Sequence, residues 1–364
     1  MLNKLEEQKH NKLMIEKPLV YDKILKFNDK LKRGESIAIV HLQYNYACNF
    51  KCEHCSIKSL QYKPINKTKL TPIDIKNISK QADELGLARW VITGGEPLIF
   101  PDLDEIVEAI DPTKFYINCD SNGWLLNDEK AKHLKSIGID RIQLSLDSLD
   151  EKDHDDFRKT PGSFQKTLRA IYAAKNADLD VIIMTVVTKQ RLYTDEFVKF
   201  VEFINGKDVG VFVSYAKPVG AWEGHFDSMV NKEDRAYMSK LEQKYNLFTH
   251  LTPAFDRELG CVALKGIFTI TQYGDVMPCQ YIFTSIGNVL KEPLKDIIDR
   301  GMKIKHFGEW ADTCWIAEDK DFVNEYVVKH IYGKEVPIPS EEVFSEKDIT
   351  VIPFNEYMIK QGKI

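Results

Sequence analysis

Residues 89–123 read RWVITGGEPLIFPDLDEIVEAIDPTKFYINCDSNG. A continuously apolar run, Arg89–Thr93, breaks at two glycines. An amphipathic helix-period segment, Leu103–Ile110, follows, and then a second apolar run, Lys114–Asp120. Strand, crossover helix and strand make one βαβ unit, and strands apolar on both faces belong to a parallel sheet covered on both sides. The same rhythm extends outward from this unit. Further strand-like runs are Ile37–Gln43, Arg141–Asp147, Val181–Val187 and Gly210–Tyr215. Helix-like segments lie at Pro72–Leu85, Asp128–Ile137, Ser163–Ala177 and Asp195–Ile204. Thr71-Pro72 is a good helix start, and Gly86 and Gly138 stand where a helix-ending glycine belongs. Six such repeats predict an α/β fold, a partial (β/α)6 TIM-like barrel over residues 36–217, with its chemistry at the C-terminal ends of the strands.

The rhythm stops after Pro218. Asn231–Tyr245 reads as a polar helix, Gly266–Pro278 as a hairpin turning at Tyr-Gly-Asp, and Pro293–Met302 as a short helix. The expected organisation is an N-terminal extension (1–35), the barrel (36–217), a small auxiliary domain (218–320) and a tail (321–364), with some helix near Asp321–His330.

The chain has 364 residues, 50 basic and 55 acidic side chains, and seven cysteines. A net charge of −5 argues against a basic nucleic-acid binder. The N-terminus carries charge throughout and no apolar signal core, and no apolar run is long enough to cross a bilayer. The expected setting is therefore cytoplasmic, where thiols stay reduced and cysteines act as ligands or catalysts. No nucleic-acid or membrane partner is expected. The nine histidines are dispersed without an HxxxH pair, and no phosphate-binding GxxxxGK[ST] loop occurs.

Cys48, Cys52 and Cys55 form a C-x3-C-x2-C cluster in the loop after the first strand. By spacing they suit either a structural zinc, which wants a fourth ligand, or a [4Fe–4S] cluster with one iron left open. GGEP at 94–97 ends the second strand, where glycines permit close backbone approach and a carboxylate can accept from an ammonium. These motifs, with NCDSNG at 118–123 and QLSLDSLDEKDHDDFRKTPGSF at 143–164, resemble the radical S-adenosylmethionine (SAM) superfamily over Ile37–Tyr215. The last motif resembles the branch carrying a C-terminal SPASM or twitch extension.

The resemblance implies that Cys48, Cys52 and Cys55 hold three irons of a [4Fe–4S] cluster while SAM chelates the fourth. It places His54 beside the adenine and gives the SAM amine to the Gly94-Gly95-Glu96 segment. Arg158 takes the carboxylate, Ser121, Asn122 and Ser145 lie by the ribose, and Asp147 helps to order the site. It further implies reductive cleavage to a 5′-deoxyadenosyl radical that abstracts hydrogen from substrate, with a flavodoxin- or ferredoxin-type electron donor. Cys261, Cys279 and Cys314, around the hairpin GDVMPC at 274–279, resemble a twitch extension with one auxiliary [4Fe–4S] cluster. The longer downstream cysteine run of a complete SPASM domain is absent. His306, Asp256 and Asp319 are candidate fourth ligands.

Cys119 is left over. If Ser121 points into the barrel, Cys119 shares its face by the period of two, and its thiol is a candidate hydrogen donor; otherwise it is a buried apolar cysteine. Tyr215, Lys217 and Trp222 are candidates for the barrel mouth, and Arg257 for an anionic substrate group. The expected substrate is a small polar, sugar-like metabolite or a short peptide. The alternatives are a peptide-modifying maturase (epimerase or cross-linker) and a non-catalytic iron–sulfur or zinc protein for electron transfer or binding.

Overall fold

The computed structural model describes residues 11–61, 67–252, 259–350, 353–360 and 362. Helices α1 (Pro18–Leu25) and α2 (Phe27–Lys32) precede the first strand, after a helical stretch at 11–16. The barrel strands are β1 (Ile39–Asn45), β2 (Arg89–Gly94), β3 (Tyr116–Ser121), β4 (Arg141–Ser145), β5 (Asp180–Val187) and β6 (Gly210–Tyr215). Between them run α3 (Pro72–Glu84), α4 (Leu103–Ile110), α5 (Asp128–Ile137), α6 (Glu151–Arg158), α7 (Ser163–Asn176) and α8 (Asp195–Asn205). Helix α3 starts where Thr71 and Asp74 form a reciprocal capping box with Pro72 in the first turn.

Strands β1 to β6 pair in parallel in chain order, as the βαβ rhythm requires. Further strands that the sequence does not announce as sheet members extend this sheet on both sides. β7 (Leu247–Thr249) pairs in parallel with β6, and β8 (Ile267–Thr271) pairs in parallel with β1, matching Ile39 to Ile267. The expected hairpin is present as β8 and β9 (Asp275–Met277), antiparallel to each other, but it is also hydrogen-bonded into the main sheet.

The main core lies between the sheet and its helices, around Trp90, Phe115, Phe197 and Phe200, all essentially buried. Fully burying a side chain of this kind is worth roughly 1.5–3 kcal/mol. A second small core closes the N-terminal end of the barrel. There Val20, Ile24, Phe27 and Leu31 pack on Ile37, Ala88 and Tyr116, joined by Met358 from near the C-terminus. Lys17 fastens this layer by donating to the Pro112 carbonyl and pairing with Asp140 at 3.0 Å. The tail is more ordered than its sequence predicts. His306, Trp315, Phe322, Tyr326 and Phe344 make one aromatic cluster, and Val323–Val328 is a π-helical turn.

Candidate active site

At the C-terminal ends of the strands lies a cavity of about 160 Å³. It is lined by Cys48, Cys52, His54, Cys55, Gly94, Gly95, Glu96, Ser121, Asn122, Ser145 and Arg158, eleven residues singled out by the sequence and contributed by four strand ends. The three cysteines are half-buried on the loop that leaves β1. Burial pushes Cys48 up to about 11 and raises Cys55 as well, so these two thiols stay protonated and a metal would have to displace their protons.

The glycines serve the chain itself. Gly94 has φ +116°, and a Cβ there would lie 2.5 Å from the Asn45 carbonyl oxygen; at Gly95 it would lie 1.8 Å from that of Ala47. Gly95 N donates to Asn45 O (2.8 Å) and Glu96 N to Ala47 O (2.9 Å), so the β2 turn is laced to the cysteine loop. Sequence reasoning assigned this close approach to a ligand; much of it is an approach of backbone to backbone.

Glu96 is 2% exposed and holds three donors. Its Oε1 accepts from Ser121 Oγ (2.7 Å) and Leu98 N (3.1 Å), and its Oε2 from Asn122 N (2.8 Å). Burial nevertheless outweighs these bonds and pushes its pKa up to about 7. Asn122 donates through Nδ2 to Asn49 Oδ1 (2.8 Å), tying β3 to the cysteine loop.

Arg158 ends α6 and is buried against Asp147, Nε to Oδ2 at 2.7 Å. Its Nη1 lies 3.9 Å from Cys52 Sγ, and its Nη2 is buried without a partner. Burial opposes ionisation of Asp147, but the attraction of Arg158 wins and holds its pKa well below the usual carboxylate range. His54 stacks on Phe157 with centroids 4.2 Å apart and faces Trp222 at 5.9 Å. Burial lowers its pKa to about 3, so it is a neutral aromatic.

Below this mouth a second cavity of about 290 Å³ fills the lumen, and Cys261, Cys279 and Cys314 line it. Burial raises the pKa of Cys279 to about 11 and that of Cys314 further. The two cavities share Asp120, Ser214, Lys217, Gln280 and Tyr281. Tyr215, Lys217 and Trp222 all line the mouth, as their position after the sixth strand predicts.

Three expectations are corrected. Cys119 is fully buried in the core between sheet and helices and lines neither cavity. The lumen positions of β3 are Asn118 and Asp120, so the thiol is on the wrong face for a hydrogen donor. His306 and Asp319 do not line the cavity with the three auxiliary cysteines. His306 is enclosed by aromatic rings, and Asp319 caps the helix at Phe322 N (2.8 Å). Asp256 and Arg257 lie outside the described residues. Sequence reasoning missed Glu318, whose Oε2 accepts from Cys314 N at 2.7 Å and whose side chain is only 2% exposed. The spacing of four from Cys314 was its available signal.

Among the described residues, no three His, Cys, Asp or Glu side chains gather round one point as a single ion needs. A cubane cluster takes one thiolate per iron and so uses cysteines that stand apart. The half-buried thiols, the unpartnered Arg158 Nη2 and the aromatic wall at His54 fit a cluster with a polar co-ligand beside it.

A parallel barrel with a cysteine loop at its first strand end and a second cysteine trio below defines a class of iron–sulfur barrel enzymes. Residues 42–204 match the family model described as the radical SAM superfamily, and residues 261–318 match that of an iron–sulfur cluster-binding domain, SPASM. The chain belongs to the radical SAM superfamily, in the branch with a C-terminal SPASM/twitch auxiliary iron–sulfur region, and is an enzyme of that kind.

It is 26% identical over 306 residues to an AdoMet-dependent heme synthase of Methanosarcina barkeri, covering 75% of this chain and 86% of that protein. It is 31% identical over 218 residues to a GTP 3′,8-cyclase of Campylobacter jejuni, covering 59% and 66% respectively. Among solved structures the fold is similar to SuiB of Streptococcus suis bound to precursor peptide SuiA (TM-score 0.57, 19% identity, 76% of this chain and 69% of that one). It is also similar to anSMEcpe with bound AdoMet (TM-score 0.55, 17% identity, 72% and 80%). Among the described residues no helix is long and apolar enough to cross a membrane.

Proposed function

We propose that this enzyme binds a [4Fe–4S] cluster and SAM in the upper cavity and abstracts hydrogen from a substrate group seated where the two cavities meet. The supporting observation is their shared lining of Asp120, Ser214, Lys217, Gln280 and Tyr281, since one cavity borders the first cysteine set and the other the second. When bound, the cluster and SAM supply one-electron chemistry that ends in hydrogen-atom abstraction.

The chain's own residues do the placing. Cys48, Cys52 and Cys55 would hold the cluster. Glu96, fixed by three donors, would accept from the SAM amine, and Arg158, fixed by Asp147, would meet its carboxylate. His54, backed by Phe157 and Trp222, would cover the adenine. Ser145 would face the ribose, while Ser121 and Asn122 act as a braced wall through Glu96 and Asn49. Cys261, Cys279 and Cys314 would hold the auxiliary cluster, and the Glu318 carboxylate, bonded to the Cys314 backbone N–H, would fix the Cys314 turn. A flavodoxin- or ferredoxin-type protein would supply the electron.

We read the substrate as a peptide side chain. SuiB has been captured with its precursor peptide and anSMEcpe with a Cp18Cys peptide on the same fold, and a lumen of about 290 Å³ suits one side chain. Ligand pockets run from roughly 300 Å³ upward. A small metabolite is the second reading, favoured by the names of the heme synthase and GTP cyclase relatives. Anaerobic reconstitution followed by dithionite and SAM tests the activity: 5′-deoxyadenosine should form, and its absence would sink the enzyme reading. Deuterium carried from a labelled peptide, but not from a labelled metabolite, into 5′-deoxyadenosine would decide the class.

A further inference from the structure

The lumen is walled by polar side chains that the SAM site does not use. His41 on β1, Asn118 and Asp120 on β3 and Arg141 on β4 all line the lower cavity. Each carries a buried atom without a hydrogen-bond partner: His41 Nδ1, Asn118 Oδ1, Asp120 Oδ1 and Arg141 Nε. Buried polar atoms are almost always satisfied, so four on one cavity mark a place that a polar ligand or ordered water completes.

At the upper end of this wall stands Lys217, which is 6% exposed. Its ammonium donates to Ser214 Oγ (3.1 Å) and to the Tyr215 carbonyl (2.7 Å), and it sits 4.1 Å above the Tyr281 ring. Both oxygens are neutral, and no carboxylate pairs with Lys217 among the described residues. The acidic groups that act on it, Cys314, Cys279 and Glu318, do so without an ion-pair contact, and an ammonium out of water without a contacting partner is costly, a deficit that an arriving anion meets. Lys217 borders both cavities, so that anion sits between the SAM pocket and the auxiliary cysteines.

We propose that Lys217 anchors a carboxylate of the substrate at the junction of the two cavities, with Asp120 and Asn118 accepting from donors on the same substrate. This rests on reading the upper cavity as the SAM site, and it adds the chemical class of the substrate. The carboxylate can belong to a free metabolite or to an acidic residue of a peptide; the chemistry at Lys217 is the same.

The test uses the reconstituted, cluster-loaded enzyme and isothermal titration, with and without SAM. The probes are glutarate, N-acetyl-glutamate amide and its neutral isostere N-acetyl-glutamine amide. The glutamate probe should bind roughly 10–100-fold tighter than the glutamine probe, the usual range for a charge-assisted hydrogen bond. Lys217→Met should reduce that preference to about twofold or less, and Lys217→Arg should restore part of it, with iron content and SAM affinity measured alongside in both. Tighter binding of glutarate than of the acetylated probe points to a free metabolite, and the reverse to a peptide. Equal binding of acid and amide, no binding of any probe, or a preference that survives in Lys217→Met would overturn the proposal. So would a Lys217→Met variant that loses only auxiliary iron, which would assign the charge to the cluster. Failure of the wild type to bind SAM would count against the reading of the upper cavity and leave the carboxylate comparison standing.

Discussion

Replacing Asp147 with Asn strands a guanidinium. Arg158 and Asp147 are 7% and 6% exposed and meet at 2.7 Å, so solvent screens the pair little. At an effective dielectric near 20, two unit charges about 4 Å apart attract by about 4 kcal/mol. Removing one partner of a buried pair typically costs about 3–5 kcal/mol. Asparagine keeps an acceptor for Val186 N, which Asp147 Oδ1 holds at 3.1 Å, but turns N–H donors toward Arg158. Asp147→Asn should therefore lose about 3–5 kcal/mol of stability, a large part of the roughly 5–15 kcal/mol of an ordinary domain. Urea unfolding of the reduced, metal-free protein reads this as a lower midpoint at unchanged slope. The double variant Asp147→Asn with Arg158→Met should recover part of the loss, because no bare charge remains buried. The pH limb gives a second check. Asp147 titrates below its unfolded value of about 3.9, so its contribution is complete above that pH and fades as pH falls; the variant's acid limb should be shallower. A loss under about 1 kcal/mol, or a double variant worse than the sum of its singles, would refute this account of Arg158.

Glu96, with its pKa near 7, should make SAM binding pH-dependent: affinity falls by up to about tenfold per unit as pH drops below about 7, and Glu96→Gln binds weakly with a flat profile, both read by titration calorimetry. Gly95→Ala places a Cβ 1.8 Å from the Ala47 carbonyl oxygen, so the variant should assemble little iron in the first site, measured as iron per chain after reconstitution. Cys119→Ala should keep turnover and product configuration and lose only about 1–2 kcal/mol of stability, since the thiol packs against helices; an inverted or missing product would restore the hydrogen-donor idea.

Much of this architecture was legible because the strands are buried on both faces. Gly210–Tyr215, Leu103–Ile110 and Asp128–Ile137 match the structure residue for residue. The cysteine loop and the GGEP turn announced themselves through residue types that few other chemistries need. The face of β3 did not. Ser121 lines the mouth because the chain is leaving the strand there, and taking it as the phase marker inverts the inward and outward positions at Asn118, Cys119 and Asp120. A one-residue phase error moves every side chain to the other face. β7 is only three residues long, too short for periodicity, and the pairing of β8 with β1 is a long-range contact that no local pattern encodes. The auxiliary ligand set suffered similarly, since chemistry nominated His306 while packing placed its ring among Trp315, Tyr326 and Phe344.

The pairing of Ile39–Gln43 with Ile267–Thr271 also sets an order of assembly. While the chain is being made, the strand that presents the first cysteine loop keeps an open edge until nearly three quarters of the sequence has emerged. Contacts this distant in sequence form late, and an open edge meanwhile invites pairing with other chains. The cysteine loop itself is braced earlier, by the β2 turn and Asn122. The cavity at the first cysteine loop is thus completed by Gln280 and Tyr281, from the last third of the polypeptide, and cannot close before they are made.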